Sequence, residues 1–196
     1  MEKIGGVAAH PLLVHVPVVL IPLAALGALA MLVWPASRRH INWITAGAAI
    51  VGALGTILAA SAGEGLQETL EHSEGPSQAV RHHAQLGEDA RTFAIIFAIV
   101  IVAFVAWEFM SHRKATAAGS SAASPEAVKK MRMMLLAGAA VTVIVGGLAT
   151  YKIVDAGHSG AKSTWGDVGQ QQSSSGDSGS GTTDSTPAPS GDSDND

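Results

Sequence analysis

The chain has 196 residues, no cysteine and a formal charge of −4. Without thiols it excludes a disulfide framework, a self-ligated iron–sulfur cluster and thiolate-held zinc, so any metal ligand must be His, Met or carboxylate. Apolar residues make up 47% of it although positions 166–196 are almost wholly polar, which crowds the apolar content into membrane-length blocks and excludes an ordinary globular pattern.

Residues 1–9 are a short mixed lead-in. The first block, Leu12–Trp34, opens as HPLLVHVP. It exceeds the roughly 20 residues that cross a bilayer and is followed by Arg38 and Arg39, so it is expected to be a retained span rather than a cleaved leader. Pro11 suits a first helical turn. Pro17 and Pro22 each remove a backbone hydrogen bond inside the helix, which predicts a kinked helix packed within a bundle. The second block, Trp43–Ala62, is rich in Gly, Ala and Ser and should approach its neighbours closely. It continues past the membrane through Glu64, Glu68 and Glu71 until Gly75-Pro76 stops it.

The third block, Thr92–Met110, is entered by a helix carrying His82 and His83. These point different ways, with His83, Gly87 and Ala90 on one face. Ser111–Arg132 is an Ala/Ser/Gly linker ending in a basic run. The fourth block, Met133–Val154, is again rich in small residues around Gly146-Gly147. No block has an ionisable residue at its middle; His15 and Glu108 lie near the ends.

Topology follows the basic residues. Seven fall on one side (Arg38, Arg39, Arg113, Lys114, Lys129, Lys130, Arg132) and five, diluted by carboxylates, on the other. The first side is expected to be cytoplasmic, leaving both termini outside. Six of the eight histidines then collect at the outer face: His10, His15, His72, His82, His83 and His158.

HPLLVHVPVVLIPLAAL resembles the "HP-x-x-VH-x-P" opening of a bacterial membrane family, the domain of unknown function 2231, and DAGHSGAKSTWGD resembles its closing motif. The resemblance covers about residues 8–166. It implies a four-helix domain in a family whose members sometimes accompany redox modules, and no settled activity.

The fold class expected is all-α: an integral membrane four-helix bundle over residues 1–165, with a disordered acidic tail over 166–196. The histidine face suggests haem b, or copper or zinc, held by His15 on the first helix and His83 on the third, with His10 and His158 as reserve ligands. Lys152 or Arg81 would meet the propionates. Such a protein would transfer electrons or sense redox state in the bacterial cytoplasmic membrane, with the lipid bilayer and a redox or respiratory protein as partners. The competing reading is a cofactor-free accessory subunit whose histidines only line the interface. A proton or ion pathway lacks a mid-membrane carboxylate. There is no nucleophile elbow, HExxH or phosphate loop to mark an enzyme, and no basic folded domain for nucleic acid.

Overall fold

A computed structural model describes residues 3–4, 7–71, 77–117 and 124–176. The lead-in forms a small antiparallel ladder, β1 (Lys3–Ile4) with β2 (Val7–Ala8), Lys3 opposite Ala8. Then come α1 (Ala9–Leu13), α2 (His15–Val33), a 3₁₀ turn at Pro35–Ser37, α3 (Arg38–Glu71), α4 (Gln78–Ala117) and α5 (Pro125–Gly176). Four helical stretches are long and apolar enough to cross a membrane: His10–Val33, Pro35–Gly65, Gln78–Lys114 and Pro125–Lys162. These take in the four blocks of the sequence apart from Trp34, which caps α2.

The first span is interrupted where its prolines require it. Pro17 offers no N–H to the carbonyl of Leu13, and Leu13 is where α1 ends. Val14 bridges the gap, its N–H bonded to His10 O at 3.1 Å and its own carbonyl accepting from Val18. Pro22 stays inside α2 without a second break. Gly75-Pro76, the expected stop after α3, lies outside the described residues, as does His72; α3 ends at Glu71 and α4 starts at Gln78.

Burial is inverted relative to a water-soluble bundle. The buried set is dominated by small side chains, among them Ala24, Ala28, Ala49, Ala94, Ala139 and Ala149, closed by Ile21, Phe97 and Ile101. Large aliphatics such as Leu26, Ile44, Leu58, Ile99 and Ile144 are exposed. In lipid there is no gain from hiding leucine, and helices associate by close packing of small residues. Gly52 on α3 is covered by the Ile21 side chain, and Gly146 on α5 by the Phe97 ring, with Ala25 of α2 beside it. The fourth span thus packs against the first and third.

The chain divides into two units, Met1–Ser163 and Thr164–Asp196. Helix α5 is assigned as far as Gly176. Residues 177–196 lie outside the described residues.

Candidate functional site

Four helical segments meet at the end of the bundle where α1 begins. His10 is on the first turn of α1, where Pro11 sets the helix direction, and is half-buried. Its Nδ1 lies 2.8 Å from the carbonyl of Ala59 on α3. A carbonyl can only accept, so Nδ1 carries the proton, and the neutral ring has an unprotonated Nε2.

His83 on α4 is half-buried while its neighbour His82 is exposed, as expected for adjacent helical positions. Its Nδ1 is 2.9 Å from Ser159 Oγ of α5, and that hydroxyl donates to Ala156 O at 2.8 Å. With its hydrogen so committed, Ser159 accepts from His83 Nδ1–H. This ring too is held in the tautomer that leaves Nε2 as a lone pair.

The two imidazoles face each other with centroids 6.0 Å apart and planes at 86°. Glycine makes room for both. A Cβ at Gly63 would lie 3.1 Å from His10 Nδ1, and one at Gly160 would lie 2.9 Å from His83 Cε1.

Beneath the pair, toward the apolar part of the bundle, charges tie the helices together. Lys152 of α5 bonds Asp89 of α4 at 2.7 Å, and Arg91 bonds Glu88 and, at 3.4 Å, Glu64 of α3. The carboxylates are more than half exposed while Arg91 and Lys152 are about a quarter exposed, and such pairs contribute little alone, on the order of 0–1 kcal/mol. Asp89 lies six residues beyond His83, about 9 Å along the helix. The histidine pair therefore lies nearer the end of the helices than these charges do. Lys152, expected to be available to a propionate, is engaged with Asp89 and lies over the Phe93 ring at 5.7 Å.

His15 is placed differently from its expected role. It is exposed, and its Nδ1 is 2.7 Å from Pro11 O, one turn back on its own helix. The ring that meets His83 is that of His10. The reason is angular: His15 follows His10 by five residues, which rotates it by about 140° around the helix, away from the face that His10 shares with Gly63. His158 is exposed as well. Among the described residues, no group of three or more His or carboxylate side chains gathers in metal-binding geometry.

Sequence reasoning passed over a second polar site at the opposite, basic end. Arg38, read only as a topology signal, is buried with Glu108, Nη1 to Oε1 at 3.9 Å, their side chains 7% and 5% exposed. Arg38 Nε donates to Met31 O at 2.8 Å, and its guanidinium lies 5.8 Å from the Phe104 ring centre. Arg38 Nη2 and Glu108 Oε2 are buried without a protein hydrogen-bond partner. The available signal was a carboxylate at the inner end of one span with an arginine opening another.

No curated protein and no solved structure matches the chain. One family model, described as a predicted membrane protein, matches residues 6–169, a range that takes in every residue of both sites. The chain belongs to the family DUF2231.

Proposed function

We propose that the His10–His83 pair holds haem b, and that the protein is a small redox-associated membrane protein working by one-electron transfer or redox sensing. The observation that carries this reading is the pair itself: two rings on separate helices, each steered through Nδ1 so that Nε2 is a free lone pair. Outer-sphere bonds of this kind orient ligating imidazoles. The two rings come from different helices and stand with centroids 6.0 Å apart, close enough to share one bound group. His10 and His83 would be the residues that hold the group, each through an imidazole nitrogen. They suit zinc less well, since it usually takes four protein ligands or three and water, and copper is the nearer substitute. Bound haem iron would supply a reversible ferrous–ferric couple; the chain's part is to hold the two nitrogens and to keep the site at the edge of the apolar layer, within reach of a redox or respiratory protein. The excess of Arg and Lys on the opposite loops supports an orientation with this site and both termini outside a bacterial cytoplasmic membrane.

The test is an optical spectrum of the detergent-purified full chain, expressed with haem supplied, before and after dithionite. The expected result is a Soret band with sharp reduced α and β bands, lost in His10→Ala and in His83→Ala but kept in His15→Ala. A colourless protein overturns the haem reading and leaves a cofactor-free accessory subunit; pigment that depends on His15 and survives loss of His10 overturns the assignment of the pair.

A further inference from the structure

At the basic end, a cleft of about 200 Å³ is lined by Arg39, Asn42, Trp43, Glu108, Phe109 and His112. Asn42 is only 8% exposed. Its Oδ1 accepts from the Trp43 N–H at 2.8 Å, which fixes the orientation of the amide, since a backbone N–H can only donate. The Nδ2 group, with two hydrogens to give, has no hydrogen-bond partner among the described residues and keeps surface open to the cleft. Idle donors on a side chain otherwise withdrawn from water cost free energy that a bound acceptor recovers.

The rest of the lining offers the same sign. Arg39, one turn before Asn42 on α3, is exposed and pairs with no carboxylate among the described residues. His112 of α4 is exposed at the cleft and carries a ring N–H in either tautomer. Arg39 and Asn42 follow directly on Arg38, where α3 begins, and the dipole at that end of a helix favours negative charge. The Glu108 carboxylate does not oppose this. Its Oε2 has no exposed surface and its Oε1 faces the Arg38 guanidinium, so its charge is balanced behind the wall rather than presented to the cleft.

We propose that this cleft binds a terminal phosphate group, the Asn42 amide and the Arg39 guanidinium donating to its oxygens and His112 supplying a third donor. The donor set selects the ligand. The acceptor of Asn42 is already used and Arg39 has none, so a cation gains nothing from either. Three donors drawn from two helices suit the three free oxygens of a phosphate monoester better than the two coplanar oxygens of a carboxylate. The chemistry is the same whether the group arrives from water or on a lipid with a terminal phosphate. Trp43 and Phe109, edge to face at 5.8 Å and both exposed, put the cleft at the headgroup level, within reach of either source.

The experiment is phosphorus NMR of the full chain in a phosphate-free, non-ionic detergent, titrated with inorganic phosphate at constant ionic strength. The expected result is saturable line broadening, with the affinity falling about tenfold in Asn42→Asp and in Arg39→Gln. Asp keeps the oxygen that the Trp43 N–H needs and replaces only the donor; Arg39 is exposed, so its substitution keeps the test decisive should Asn42→Asp fail to fold. Arg113→Gln removes an exposed cation that lies over the Phe109 ring, outside the lining, and is expected to change the affinity by less than about twofold. Broadening that does not saturate, affinity unchanged in Arg39→Gln, or an equal loss in Arg113→Gln overturns the proposal, the last in favour of a diffuse basic surface. Phosphatidic acid added to the micelles separates the two sources, and its binding is expected to depend on Arg39 in the same way. Phosphatidic acid that resists excess inorganic phosphate assigns the group to a lipid, and its ready displacement assigns the cleft to a soluble phosphate.

Discussion

Glu108→Ala is expected to destabilise the protein by about 3–5 kcal/mol, measured as a lowered midpoint of unfolding in mixed micelles. The substitution leaves the Arg38 guanidinium buried with its carboxylate gone, its side chain only 7% exposed. Arg38 cannot shed its charge, since a guanidinium stays protonated at any ordinary pH. Its Nε bond to Met31 O and its place beside Phe104 offset part of that cost and no more. The double variant Arg38→Met with Glu108→Leu removes both charges together and is expected to recover most of the loss, because apolar isosteres of a buried pair are often neutral or stabilising. Should the single variant unfold at the wild-type midpoint, water must reach the pair and the low-dielectric argument fails. The same double variant should leave any pigment at the histidine end intact, since the two sites lie at opposite ends of the spans.

Phe97→Ala should come next in size, at about 3–5 kcal/mol. Phe97 is fully buried on α4 and its ring fills the surface of Gly146 on α5, where a Cβ would come within 2.8 Å of Cε2 and 3.2 Å of the Ala25 Cβ. The aromatic ring and the glycine are one feature, a large knob against an absent side chain. In a bilayer the loss comes from missing contacts rather than exposure to water, as lipid is as apolar as the cavity. Thermal unfolding in detergent measures it. Gly146→Ala is expected to be destabilising for the opposite reason, overpacking worth about 1–3 kcal/mol, and combining it with Phe97→Leu should cost less than the sum of the two. Strict additivity would mean that the ring and the glycine do not share a space.

The four spans were legible because bilayer thickness imposes its length on the apolar blocks, whatever packs against them. Small-residue faces were legible for the same kind of reason: Gly52 and Gly146 are useful only where another helix comes close. Distortion of the first span was legible from Pro17 and Pro22 alike, since proline has no N–H; that the helix breaks ahead of Pro17 and not at Pro22 was decided by the structure.

Partnership was another matter. His10 and His15 look equivalent in the string HPLLVH, and the sequence favoured His15 because it lies deeper. Which of them meets His83 depends on how α1 is rotated against α3, and that is settled by the fit of the His10 ring over Gly63 and its bond to Ala59 O. Ser159, which orients His83, reads in sequence as one small polar residue among several after the fourth span. Arg38 and Glu108 are seventy positions apart and each has an ordinary explanation alone, a loop charge and a span-end carboxylate. Composition and spacing determined that this chain forms four apolar helices with histidines gathered at one end and basic residues at the other. Only the tertiary structure decided which side chains meet, because rotation about a helix axis leaves hydropathy unchanged when lipid and core are equally apolar.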